Sequence, residues 1–138
     1  MPNWCQNEVS IHFDNEKDCQ KFKSFVKSKE SLFDFNKIIP PTKKVLESLE
    51  PNPNYNDSKE LGIPKSDYWY DWRRKNWGTK WPAVDVDVEE GNLGYVFYSF
   101  DTAWSPPDKI YEALVKKFPD AEISWFFRED GAQFAGWL

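Results

Sequence analysis

Residues 84–100 read VDVDVEEGNLGYVFYSF. Val84, Val86 and Val88 alternate with Asp85, Asp87 and Glu89, the period of two that puts apolar side chains on one face of a strand and acids on the other. Gly91-Asn92 supplies a turn, and LGYVFYSF (93–100) returns as the second strand of a hairpin.

Outward from this hairpin, helix and strand patterns alternate. Downstream, Ser105 in TAWSPP (102–107) reads as a helix N-cap, with Pro106, Pro107 and Asp108 favoured in the first turn. The helix stripe is Ile110, Tyr111, Leu114, Val115 and Phe118, and Pro119 ends it. AEISWFFRED (121–130) is the last strand. Upstream, EVSIHF (8–13) alternates Val9, Ile11 and Phe13 against Ser10 and His12, a first strand. Asn15 then caps a helix, with Asp18 three residues on, and Cys19, Phe22, Phe25 and Val26 form its apolar stripe.

Between that helix and the hairpin, LFDFNKIIPP (32–41) reads as a short extended segment ending in a double proline, and Thr42 caps a brief helix through Leu49. Residues 50–67, rich in Pro, Asn and Asp, read as a long loop. DYWYDWRRKNW (67–77) forms a helix with aromatics on one side and Arg73, Arg74 and Lys75 on another.

The order is strand, helix, insertion, strand, strand, helix, strand. This is an α+β chain with the split βαβ (ferredoxin-like, βαββαβ) plan: two helices on one face of an antiparallel sheet of order 4-1-3-2. Residues 1–138 make one domain, and residues 33–83 are an insertion expected to cover much of the second sheet face.

Composition bounds the function. Net charge is −5, which argues against a protein built mainly to grip a phosphate backbone. Two cysteines, Cys5 and Cys19, and one histidine, His12, cannot form a zinc or iron–sulfur site from Cys and His alone; no metal or cofactor is expected. Neither a secretory leader nor a membrane span is legible, so the expected location is the cytoplasm, with both thiols reduced.

Four separated motifs meet in this topology. PNWC (2–5) and NWGTKW (76–81) precede two upward strands, whereas TAWSPP (102–107) and GAQFAGW (131–137) follow two downward ones. Starts of upward strands and ends of downward strands lie at one edge of the sheet. Trp4, Trp77, Trp81, Trp104 and Trp137 are therefore expected in one cluster. With FDFNKIIPP (33–41), these motifs resemble the YubB-like family of ferredoxin-like proteins found on plasmids and phages. The resemblance spans nearly the whole chain. It implies the fold and a mobile-element ancestry, and no catalytic residues.

Two readings of the cluster compete. As a plug, it is large buried aromatics sealing one end of the sheet. As a pocket, it has an apolar wall plus convergent polar groups and the N-terminus of the helix after Ser105, suited to a small anion. The candidate ligand residues are Asn3, Trp4, Trp77, Thr79, Lys80, Trp81, Thr102, Trp104 and Ser105. A protein-interaction patch is the other candidate, on Tyr55, Tyr68, Trp69, Tyr70, Arg73 and Arg74, residue types enriched at interfaces.

Single-stranded nucleic acid is an alternative, since Gly94, Tyr95, Phe97 and Phe100 partly echo an RNA-recognition strand. The acids of 84–90 on the same face oppose it. A small enzyme at the Trp-rich end is weaker still: His12 lies away from both cysteines, no acid/base pair stands out, and Cys5 reads as a small buried hydrophobe. The reading is a non-catalytic protein-interaction or small-ligand-binding module, its partner an unidentified protein or small anion, with no membrane role.

Overall fold

The structure, a computed structural model, describes residues 3–49, 58–59 and 61–138. In chain order it runs β1 (Trp4–His12), α1 (Glu16–Val26), α2 (Phe35–Ile38), α3 (Lys43–Ser48), a short 3-10 helix (Lys65–Asp67), α4 (Trp69–Asn76), β2 (Val84–Glu90), β3 (Tyr95–Ala103), α5 (Asp108–Lys117), β4 (Glu122–Glu129) and β5 (Phe134–Trp137). The sheet order is β2-β3-β1-β4-β5 with every neighbouring pair antiparallel. It differs from the expected four-stranded order by a fifth strand, β5, added beside β4. Glu129 turns the chain into β5, its carboxylate accepting hydrogen bonds from the amides of Gly131 (2.8 Å) and Ala132 (2.7 Å). FAGW (134–137) is an exposed edge strand with no buried face, so it leaves no alternation to read.

β1 is longer than EVSIHF, reaching back through Trp4 and Cys5. Cys5, Asn7, Val9 and Ile11 are buried on one face, and register places them across from Thr102, Phe100, Tyr98 and Val96 of β3. The hairpin turn occupies Gly91 to Gly94, so Leu93 lies in the turn, at φ 54° and 81% exposed, and is not part of the strand. Gly94 is required there. Its φ is 84°, its amide donates to Glu16 (2.9 Å), and a Cβ would sit 2.5 Å from the Phe13 carbonyl oxygen. On β2 a bulge between Val84 and Asp87, with Asp85 at φ 54°, alters the expected alternation. Val86 and Val88 pack on the core; Val84 pairs with Asp101 and does not.

The core lies between the sheet and the helices. α1 supplies Cys19, Phe22 and Val26, and α5 supplies Ile110 and Leu114. Asn15 caps α1 as expected, accepting from the Asp18 amide at 2.8 Å. The insertion joins this same layer: Phe33, Phe35, Ile38 and Trp77 belong to the main core, with Phe33 stacked on Phe100 at 5.0 Å. These described residues pack on this side, and Tyr95 on the second sheet face stays exposed, against the expectation that the insertion covers that face. Residues 35–38 form a helical turn where an extended segment was expected, because Asp34 caps it by accepting from the Asn36 amide at 2.9 Å. Val45 of α3 packs with Tyr68 and Trp69 in a smaller second core, joined to α3 by a hydrogen bond from the Trp69 amide to Ser48 Oγ (2.9 Å).

Candidate functional site

Strand directions bring the four motifs to one end of the sheet, the fourth by its first residue only. Trp4 pairs with Ala103, and the Trp104 amide donates to the Asn3 carbonyl at 2.8 Å. Gly131 comes so close to Asn3 that a Cβ there would lie 2.6 Å from its side chain. NWGTKW is tied to TAWSPP by hydroxyls. Thr79 Oγ1 donates to the Ala103 carbonyl and Ser105 Oγ to the Gly78 carbonyl, both at 2.7 Å. Thr102 Oγ1 donates to the Ser105 carbonyl, also at 2.7 Å. Each of these hydroxyls satisfies backbone, which is how the plug reading requires them to behave.

A cavity of about 290 Å³ nevertheless opens between α4 and the 103–105 turn, lined by Tyr70, Arg74, Gly78, Thr79, Lys80, Ala103, Trp104 and Ser105. None of the described residues lining it is acidic. Lys80 Nζ lies 4.6 Å from the Trp81 ring, 5.3 Å from Trp104 and 6.0 Å from Tyr70, and the Arg74 guanidinium lies 5.3 Å from Tyr70. Neither cation is in an ion pair with a described residue. Among the described residues, aromatic faces are what answer their charge. Behind Lys80, Trp81 packs on Trp4 with ring centroids 5.9 Å apart.

Trp104 is the unusual wall of this cavity. It is 61% exposed, so it is not the buried ring the plug reading assumes. Its φ is 70°, a left-handed backbone that costs a side-chain-bearing residue about 1 kcal/mol or more. The strain persists because hydrogen bonds fix the turn on both sides of it. Leu93 combines positive φ with exposure in a plain hairpin turn, so what sets Trp104 apart is its place in the cavity wall.

Other expectations are corrected. Ser105 does not cap α5: the cap is Pro107, without a side-chain bond. The start of α5 is not open to the cavity either, since the Asp108 amide donates to the Pro106 carbonyl (2.9 Å) and Gly78 packs directly against Asp108. Of the nine candidate ligand residues, Thr79, Lys80, Trp104 and Ser105 line the cavity and Trp4 and Trp81 back it. Trp77 belongs to the main core, donating from Nε1 to the Ile39 carbonyl at 3.0 Å. Trp137 is far along the sheet, 69% exposed in β5 and packed on Phe126 at 5.1 Å.

The interaction patch largely dissolves. Tyr68, Trp69 and Arg73 are buried, and Tyr55 lies outside the described residues. Arg73 is wedged between the Trp69 and Trp77 rings (5.4 and 4.9 Å) and donates to the Lys80 carbonyl at 3.3 Å; burial pulls its guanidinium down to about 10. Tyr70 and Arg74 prove to be cavity residues. The sequence carries a signal for them: positions 70 and 74 are one helical turn apart, which puts both on one face of α4.

Cys5 is fully buried, and burial, together with the charge of Glu129, pushes its thiol up to about 11 against a hydrogen bond to Thr102 that lowers it. Among the described residues no group of three His, Cys, Asp or Glu could hold a metal ion. On the open sheet face, Tyr95 and Phe97 share their surface with exposed Asp87 and Glu89, while Phe100 points into the core. Among the described residues no helix is long and apolar enough to cross a membrane.

Two α1/α5 helices on an antiparallel five-stranded sheet define a ferredoxin-like α+β domain. The comparisons agree with that class. Residues 76–137 match the family model described as the ferredoxin-like domain in Api92-like protein. The whole chain is similar in fold to the crystal structure of protein api92 from Yersinia pseudotuberculosis, with a TM-score of 0.57 at 10% identity, over 99% of this chain and 93% of that one. No curated protein matches the chain.

Proposed function

We propose that this domain is a non-catalytic small-ligand-binding module whose ligand is an anion held in the cavity between α4 and the 103–105 turn. One observation carries the reading: two cations, Lys80 and Arg74, line a cavity with no acidic described residue in its wall, and among the described residues their charges are met by aromatic rings and by no ion pair. An entering anion would gain two charge-assisted contacts without displacing an existing ion pair. The volume of about 290 Å³ falls just under the range of ligand pockets, about 300–1,000 Å³, which suits a small ligand. The motif resemblance to YubB-like proteins supports a plasmid or phage origin, and we place the protein's work in the cytoplasm.

A thermal-shift screen of anionic metabolites tests this, run on the native chain and on Lys80→Ala. The native protein is expected to gain melting temperature with at least one anion. Lys80→Ala is expected to change unliganded stability by no more than about 0.5 kcal/mol, as for a surface substitution, while losing that gain. If the variant keeps the full ligand-induced shift, or no anion stabilises the native chain, the cavity is only a dent in a structural plug.

A further inference from the structure

Resting on the reading just given, we infer that the anion this cavity takes is carried on a flat aromatic ring, the ring lying on Trp104 and the anionic group between Lys80 and Arg74. The fold has no architectural use for the Trp104 indole. Trp69, Trp77 and Trp125 are at most 1% exposed and fill cores, whereas Trp104 leaves 61% of its surface in water beside the cavity. Glycine there would relieve the left-handed backbone at φ 70° and give up only the minority of the ring that is buried.

Instead the ring is presented on a fixed base. The Trp104 amide is held by Asn3 at 2.8 Å, and the Ala103 carbonyl accepts from both Thr79 Oγ1 (2.7 Å) and the Ser105 amide (2.8 Å). An exposed indole on a pinned backbone is a partly preorganised stacking surface, because the turn that carries it need not be ordered when a ligand covers it. Lys80 Nζ lies over the same ring, 5.3 Å from its centroid, so a ring that takes its place on the indole would turn the ammonium toward the anionic group it carries. A bare oxyanion would use the two charges and leave Trp104 and Tyr70 unengaged. A neutral ring would use the indole and leave the charges unanswered. A ring bearing an anion engages both.

Nucleotides and aromatic carboxylates share this chemistry, and a probe set separates them. Titration calorimetry would use inorganic phosphate, adenosine and adenosine monophosphate, and, in parallel, acetate and indole-3-acetate. At least one ring-bearing anion is expected to bind roughly tenfold or more tighter than its ring-less anion, the scale expected of one stacked ring, and adenosine should bind more weakly than adenosine monophosphate. Whichever ring-bearing probe prevails identifies the source. Trp104→Ala is expected to bring that probe down to the affinity of the bare anion, with Trp104→Phe restoring part of the difference. Lys80→Ala should weaken ringed and bare anions by the same factor.

Phosphate or acetate binding as tightly as its ringed counterpart would overturn the ring inference and leave anion binding standing. Adenosine binding as tightly as adenosine monophosphate would remove the anion's part, and with it both readings. Failure of all five probes to bind would also overturn both.

Discussion

Replacing Trp77 with alanine is expected to destabilise the fold by about 3–5 kcal/mol, the range for truncating a large buried ring. Trp77 is fully buried, packs on Phe35 and Trp72 with centroids 5.5 and 5.8 Å away, and lies under the Arg73 guanidinium. Its removal also strands the Ile39 carbonyl, which accepts from the indole at 3.0 Å. Trp104→Ala, only a few residues from the same cluster, is expected to cost under about 1 kcal/mol, because the ring is mostly in water. Urea denaturation followed by far-UV circular dichroism compares the two. Equal losses would mean that Trp104 is architecture after all.

The second large effect is at Asn7, a buried amide in the middle of the apolar face of β1. Its Nδ2 donates to the Cys5 carbonyl (3.1 Å) and to Thr102 Oγ1 (2.9 Å), and its Oδ1 accepts from Trp125 Nε1 (3.0 Å). Asn7→Leu leaves the Trp125 donor without an acceptor in a place water does not reach. The expected loss is about 2–4 kcal/mol, since unsatisfied buried groups cost roughly 1–3 kcal/mol each. Thr102 in turn donates to the Ser105 carbonyl, so the Asn7 network also fixes the turn that carries Trp104. Denaturant titration of Asn7→Leu checks the loss; a change within about 0.5 kcal/mol, typical of a surface site, would contradict this account of the network.

What the sequence shows of this fold follows from where periodicity survives. The 84–100 hairpin, the α1 and α5 stripes and the Asn15 cap all bury one face against the core, so their apolar spacing is visible. β5 buries nothing, and its FAGW leaves no pattern. The side on which the insertion packs is hidden for a different reason. Phe33, Phe35 and Trp77 announce burial but not which side of the sheet they bury on, and only the packing against Tyr98, Phe100 and Trp125 decides that.

At the site, strand polarity alone brought Lys80, Trp81 and Trp104 together, because topology fixes which strand ends coincide. Spacing could not separate exposed Trp104 from buried Trp77, since both follow the same kind of glycine- or proline-marked motif. Nor could it show that Thr79, Thr102 and Ser105 would bond backbone carbonyls. Serine and threonine look alike in sequence whether they face a ligand or a turn.

The most direct measurement is a crystal soaked in selenate, a tetrahedral oxyanion whose selenium is located by anomalous scattering. The account predicts a peak in the cavity within hydrogen-bonding distance of Lys80 Nζ and the Arg74 guanidinium, beside the exposed Trp104 ring. Selenate bound elsewhere on the protein, with the cavity empty or filled by the Lys80 side chain, would contradict it.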